Sequence, residues 1–372
     1  MKILFVVWNF YPNTAYTNRS KATIRGMREC GCHVDVLSIK PLITKEDTCL
    51  NHDENTRKTF FPTLCGMVRN YYRLQCMIQN YDIIYCATSN IRIVRRCISL
   101  AYKHRKVVVH ERTEMPDIFY DKSKKNQKGL SAYLKETQRF DHLFVISNPI
   151  KNYFVESGIP DTKISIFPMI VDPDRFAKLK KNNWDYKYIA YCGNLSNSKD
   201  GVADLIEAYG RSETKKTHKL MLIGANPSKN EKELYDILIR KYNIEEQVIF
   251  RGNVTREDMP QILMDADTLL LCRPNNRQAL GGFPTKLGEY LATGNPVLVT
   301  RVGDINLYIR DGRNGYLAKP NDIDDFRFKL DSIIADYDKA KKVGVYGKEL
   351  TNDAFNYSVQ TQKVVAVLKT LL

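Results

Sequence analysis

No stretch of the 372-residue sequence approaches 18 consecutive apolar residues, so no segment is expected to span a membrane. The opening MKILFVVWNF holds an apolar run too short for a secretory signal, with no small-residue cleavage site after it. Nine cysteines occur without a single C-x-x-C. Cys30 and Cys32 form one C-x-C near a predicted helix end. That pattern argues against a metal or disulfide framework and for reduced cytosolic thiols. There is no self-similarity at a solenoid period and no recognisable nucleic-acid motif.

What is present is ample apolar material, 43% of residues, with 27% charged, which excludes a disordered chain. The length favours two domains. Charge is unevenly spread. Residues 1–170 hold 26 Lys and Arg against 15 Asp and Glu, whereas residues 171–372 hold 31 against 27. Arg57, Lys58, Arg69, Arg73, Arg92, Arg95, Arg96, Lys103, Arg105, Lys106 and the run Lys122, Lys124, Lys125, Lys128 carry much of the excess. Such a surface suits an anionic bilayer or an acidic acceptor, and a solvated basic face is the plainer alternative.

Short apolar strands alternate with amphipathic helices along the whole chain. Lys2 to Val7 reads as a strand buried on both faces, followed by the loop NFYPNTAYTN, a helix from about Arg19 to Cys30 and a strand from His33 to Ile39. This β-loop-α-β opening begins a parallel sheet, and the loop sits where open α/β sheets bind ligands. Asn18 and Arg19 at that helix start either face an anion or, for Asn18, cap the helix. Residues 41–65 show no period. A helix near 66–80, strand 82–86, helix 91–103 and strand 106–110 follow, and the last runs into HERTEMPD. His110, Glu111 and Glu114 therefore fall at a strand's C-terminal end. A basic loop 122–129, a helix to about Phe140, strand 141–147, helix 149–156 and strand 163–167 complete the first domain. A segment rich in Pro, Asp, Lys and Asn marks a boundary near residue 170.

In the second half, strand 187–192 leads to the loop Gly193 to Gly201. Val202, Leu205, Ile206 and Tyr209 then line one helix face. Lys199 sits at that helix entrance, an arrangement that attracts anions. Strands at 219–223, 247–250 and 267–272 and helices at 229–242 and 256–264 continue the alternation. The helices near 304–310, 322–337, 340–350 and 357–371 close the chain.

The most informative stretch is 279–300, ALGGFPTKLGEYLATGNPVLVT. Pro284 suits a helix start, and Gly294 with Pro296 stops the helix. Leu287, Tyr290 and Leu291 form an apolar face, while Lys286 and Glu289 share another. Lys286 in the first turn faces the positive end of the helix dipole, at a cost of about 0.3–1 kcal/mol that a bound anion would reverse. Gly281 and Gly282 would let backbone approach that anion.

This stretch resembles the donor-site segment of retaining glycosyltransferases of family four, which have the GT-B fold. The resemblance implies two Rossmann-like domains with parallel sheets facing each other across a cleft: an acceptor-side domain at 1–170, a nucleotide-sugar domain at 171–356, and a terminal helix, 357–372, packing back on the first. Glu289 matches the second of the family's two glutamates, which holds the ribose hydroxyls, whereas Gly281 stands where the first belongs. Gly282 and Phe283, with Pro284 and Thr285 before Lys286, match the backbone contacts to diphosphate and sugar. Gly193, with Lys199 as the diphosphate lysine, matches a second loop, in which Asn194 replaces an arginine and Asp200 is inserted. Lys286 or Arg273 would then supply the missing charge. Gly252, Asn253 and Val254 map to the backbone that reads the base. His110, or Glu114 on an alternative alignment, would lie near the reacting sugar with Glu111.

The resemblance thus implies transfer of a hexose-type sugar from UDP- or GDP-sugar to a glycan or lipid-pyrophosphate-linked acceptor, with retention, in cell-surface polysaccharide assembly. No resident cofactor or metal is expected. No Asp-x-Asp of metal-dependent sugar transfer stands in a suitable loop, and capping accounts for Asp322, Asp324 and Asp325. Peripheral attachment to the cytoplasmic face of a membrane through the basic first domain is expected, without nucleic acid. A sugar-nucleotide epimerase or a non-catalytic polyanion-binding protein of the same fold are the alternatives.

Overall fold

The computed structural model describes residues 1–11, 14–40, 60–119 and 124–372. Asn13, Arg57, Lys58, Lys122 and residues 41–59 of the aperiodic stretch lie outside the described residues. The chain divides into two compact units, Met1–Pro168 with Tyr357–Leu372, and Met169–Asn356.

The first unit runs β1 (Lys2–Val7), α1 (Ala15–Glu29), β2 (His33–Ser38), α2 (Phe60–Met77), β3 (Ile83–Cys86), α3 (Ile91–Lys103), β4 (Val107–Arg112), α4 (Lys124–Thr137), β5 (His142–Val145), α5 (Asn148–Glu156) and β6 (Ile164–Ile166). All six strands are parallel, in the order β2-β1-β3-β4-β5-β6. Helices on crossover connections cover both faces of such a sheet, so its strands read as unbroken apolar runs. Ile3 to Val7 are accordingly fully buried.

Three helices start elsewhere than in the sequence reading. Helix α1 starts at Ala15 because the Thr14 hydroxyl accepts a hydrogen bond from Thr17 N at 3.1 Å, which makes Thr14 the cap and puts Asn18 inside the first turn. Helix α2 starts at Phe60, since Pro62 falls in the first turn, where its missing N–H costs no hydrogen bond. Residues 124–129, expected as loop, are the start of α4, because Lys and Gln are good helix formers. The C-terminal helix, Tyr357–Thr370, also belongs to this unit and packs on α1. A Cβ at Gly26 would stand 2.7 Å from the Thr361 side chain, so glycine sets how closely the two helices approach.

The second unit runs β7 (Tyr188–Cys192), α6 (Asn197–Asp200), α7 (Val202–Arg211), β8 (Lys219–Ile223), α8 (Lys229–Lys241), β9 (Val248–Gly252), α9 (Met259–Asp265), β10 (Thr268–Leu271), α10 (Arg277–Gly281), α11 (Thr285–Thr293), β11 (Val297–Thr300), α12 (Ile305–Tyr308), β12 (Tyr316–Ala318), α13 (Ile323–Ala335) and α14 (Tyr337–Lys348). Its parallel sheet has the order β12-β11-β10-β7-β8-β9. The chain builds outward from β7 to β9, then returns to the other side of β7 with β10. Ligands bind at the carboxyl ends of strands at such a switch point, here between β7 and β10. Strand β12 was not foreseen: three residues are too few to show alternation, and pairing with β11 defines it. Among the described residues no helix is long and apolar enough to cross a membrane.

Asp267, beside the start of β10, anchors one side of this sheet. It pairs with Lys181 and lies 3.1 Å from His218 Nε2. Burial alone would raise its carboxyl, but hydrogen bonds from His218 and Lys181 hold it well below the usual carboxylate range. A depressed carboxylate stabilises the folded state above its unfolded pKa, and the contribution fades as pH falls through the folded value. Urea-unfolding free energy is therefore expected to drop below about pH 4, with a flatter slope in Asp267→Asn. Equal slopes would refute the assignment.

Candidate functional site

In the second unit the candidate residues gather at the switch point. Strand β7 ends at Cys192, and Gly193 follows with φ +152°. A Cβ there would come 2.1 Å from Lys286 Nζ, so a side chain at this position would displace the ammonium from where it stands. The chain then makes the one-turn helix α6, ending at Asp200. Gly201, in the left-handed region at φ +62°, turns it into α7. Tyr290 on α11 bonds back to the end of β7, donating its hydroxyl to Cys192 O at 3.2 Å and accepting from Cys192 N at 2.6 Å.

Lys286 does not turn into water. Its ammonium donates to Asp200 Oδ2 at 2.6 Å and to the Tyr191 hydroxyl at 2.9 Å, and it lies over the Tyr191 ring, 4.4 Å from the centroid. Arg273, only 2% exposed, places Nε 3.6 Å from Asp200 Oδ1 and donates from Nη1 to Gly282 O at 3.0 Å. The anion that answers the unfavourable dipole contact of Lys286 is thus a side chain of the protein, Asp200. Burial pushes the Asp200 carboxyl up. Lys286, Arg273 and Tyr191 outweigh it and hold the group below its ordinary value. Burial lowers the Lys286 ammonium, against the pull of Asp200.

Glu289, one turn further along α11, pairs with Arg175, whose other terminal nitrogen donates to Arg256 O at 2.5 Å. Arg175 lies in a short 3-10 turn, Pro173–Arg175, capped by Asp172. Arg175 was missed because nothing in FPMIVDPDRF singles it out. The remaining expected positions divide. Lys199 is half-buried on α6, and Asn194 is exposed, its carbonyl accepting from Tyr191 at 2.7 Å. Pro284 caps α11 rather than opening it, and Thr285 is its first residue. Phe283 is buried against Tyr308 and Phe355, with ring centroids 5.5 Å apart in each pair. Gly281 ends helix α10 and Gly282 has φ −83°, so the expected glycine loop is a short helix capped by Asn276. Gly252 closes β9 and Asn253 and Val254 follow it, on the outer side of β8 from β7.

In the first unit the three residues expected near the reacting sugar are placed differently from one another. Strand β4 runs on to Arg112, so His110 and Glu111 lie inside the sheet, with His110 opposite Cys86 and Leu143. His110 is fully buried. Its Nδ1 lies 2.7 Å from Cys86 O, its Nε2 lies 2.7 Å from the Tyr133 hydroxyl, and its ring stacks on Phe140. It is a satisfied core histidine. Glu111 accepts from Arg19 Nε at 2.6 Å and from Tyr85 at 2.8 Å. Arg19, read as a possible anion ligand, is committed to that pair and to the carbonyls of Pro168 and Phe167. Glu114, beyond the strand end, is half-buried and its carbonyl accepts from Arg112. Among the described residues, no group of His, Cys, Asp and Glu is arranged to hold a metal ion.

Two parallel-sheet units, the second with Lys286 and Arg273 gathered at its switch point, agree with what family models report. Residues 174–350 match the model described as glycosyl transferases group 1, and residues 19–175 match glycosyltransferase family 4. Both halves of the chain are glycosyltransferase family domains, and the fold is GT-B.

Among individual proteins, the chain is 26% identical over 172 residues to N-acetyl-alpha-D-glucosaminyl L-malate synthase of Bacillus anthracis. That match covers 46% of this chain and 41% of the relative, so the chain spans less than half of that protein's length. It is 24% identical over 347 residues to the UDP-Gal:alpha-D-GlcNAc-diphosphoundecaprenol alpha-1,3-galactosyltransferase of Escherichia coli, covering 85% of this chain and 84% of the relative. The structure superposes on Anabaena Alr3699/HepE, solved with UDP and glucose, with a TM-score of 0.76 at 16% identity and 100% of both chains covered, a likeness of fold.

Proposed function

We propose that this chain is a glycosyltransferase that binds a nucleoside diphosphate-sugar in its second unit and passes a hexose-type sugar, with retention, to a glycan or lipid-pyrophosphate-linked acceptor. The observation that carries the reading is the placing of Lys286 and Arg273 at the carboxyl ends of β7 and β10, with Glu289 one turn along α11. Departure of the diphosphate develops negative charge, and fixed cations aimed at it lower the barrier without reorganising. Lys286, Arg273 and Lys199 supply that charge in this reading, and the Glu289 carboxylate accepts the ribose hydroxyls. The leaving phosphate takes the acceptor proton on the same face, so this reading needs no dedicated protein base. The names of the relatives support a nucleotide-sugar donor. The exposed Arg92 on α3 and the basic surplus of the first half suit a lipid-linked acceptor at an anionic membrane face.

A thermal-shift screen tests the donor site. UDP or GDP at about 100 times its Kd adds about 2.7 kcal/mol to stability, which for units of this size raises the melting temperature by roughly 5–10 °C. Glu289→Ala and Lys199→Ala are expected to abolish the shift. If neither nucleotide moves the melting curve at millimolar levels, the donor reading fails.

A further inference from the structure

The donor reading accounts for the cations at the switch point but leaves Asp200 without a role. A carboxylate at a diphosphate site repels the ligand the site is built to hold. Yet Asp200 is 2% exposed, and it is shared between two cations: Lys286 at 2.6 Å and Arg273 at 3.6 Å. The Tyr191 hydroxyl, 2.8 Å from the same oxygen, can give its one proton either to Asp200 or to Asn194 O.

The donors of Lys286 point the same way. An ammonium has three N–H groups. Two meet Asp200 and Tyr191, and the third has no partner among the described residues. The lysine side chain is 16% exposed, so that proton is open to an arriving ligand. Mobility is unequal within the pair. Asp200 ends α6, its N–H bonded to Ser196 O at 3.3 Å, and Gly201 behind it is pressed against the chain leaving β10. Lys286 hangs on a four-carbon stem and can swing by rotamer changes.

We propose that Asp200 is a resident counter-anion of the diphosphate site. It holds Lys286 and Arg273 together until a nucleoside diphosphate arrives, and the diphosphate then takes Lys286 from it. Two buried cations side by side would repel each other and stay poorly solvated, and the carboxylate offsets both costs. A diphosphate carries more charge and more oxygens than the carboxylate, so it wins the lysine in the exchange. The consequence is a site held ready at the expense of affinity. This inference rests on the donor reading above.

Titration calorimetry with UDP and GDP on the full chain tests it. In wild type, measurable binding establishes the donor site. At low ionic strength Asp200→Asn is expected to bind the nucleotide about ten-fold tighter, because one repelling charge is gone, and with a steeper salt dependence. Asp200→Glu, which keeps the charge, should stay near wild type. Equal or weaker binding by Asp200→Asn overturns the proposal and makes Asp200 a holder of Lys286 alone. A wild-type crystal soaked with UDP gives a second readout that needs no variant. Lys286 Nζ within hydrogen-bond distance of a phosphate oxygen and parted from Asp200 supports the exchange. Lys286 still bonded to Asp200 beside bound UDP refutes it. Folded wild-type protein that binds neither nucleotide removes the donor reading itself, and that failure is read from wild type alone.

Discussion

Arg19→Met is expected to cost the first unit about 3–5 kcal/mol, because it strips the partner from a buried carboxylate. Arg19 and Glu111 are 6% and 9% exposed and meet at 2.6 Å. The two terminal nitrogens of Arg19 hold Pro168 O at 2.6 Å and Phe167 O at 2.9 Å, and its guanidinium lies over the Phe167 ring. One side chain thus joins α1, β4 and the chain leaving β6. Removing it leaves Glu111 charged, with the Tyr85 hydroxyl as its remaining side-chain donor among the described residues. In a unit of this size the loss is about 10 °C of melting temperature. Arg19→Met combined with Glu111→Gln should recover much of it, because the pair then leaves no buried charge. A single variant that melts within about 2 °C of wild type would show that the pair is not what holds these elements together.

Gly201→Ala is the second large effect, and it reaches the candidate site as well as stability. The residue sits at φ +62°, and a Cβ there would stand 2.0 Å from the Cys272 carbonyl oxygen. The left-handed conformation costs an L-residue about 1–2 kcal/mol, and relieving the clash against backbone about 1–3 more. Relief requires the α6–α7 corner to move off the end of β10, which parts Asp200 from Arg273. A melting temperature lowered by about 5–10 °C is therefore expected together with altered nucleotide affinity. Lost stability with unchanged affinity would mean that the corner does not shape the site.

Much of the fold was legible. Buried parallel strands announce themselves as short apolar runs, as in Lys2–Val7 and Thr268–Leu271, and the amphipathic helices between them fix the crossover pattern. The exceptions were local. Strand β12 is three residues long, and helix α10 depends on the Asn276 side chain accepting from Ala279 N. The candidate site was legible only in part. Lys286 and Glu289 stood out because their spacing puts them on one helix face. Their partners did not, since Asp200 lies 86 positions from Lys286 and Arg175 lies 114 positions from Glu289. His110 shows the opposite case. A histidine near the end of an apolar run looks available, but the register of β3, β4 and β5 carries the strand on to Arg112 and seals the ring inside the sheet.

The sequence alone determined the alternation of strand and helix, the uneven charge of the two halves, and the segment on which the donor proposal rests. Those properties depend on near neighbours, where the periods of 2.0 and 3.6 residues act directly. Tertiary structure decided which charges meet. It turned Asp200 from an insertion into the counter-ion of Lys286 and Arg273, and it buried Arg19 with Glu111. A charge's role follows from the dielectric around it and from the nearest opposite charge, and chain folding fixes both only when distant segments come together.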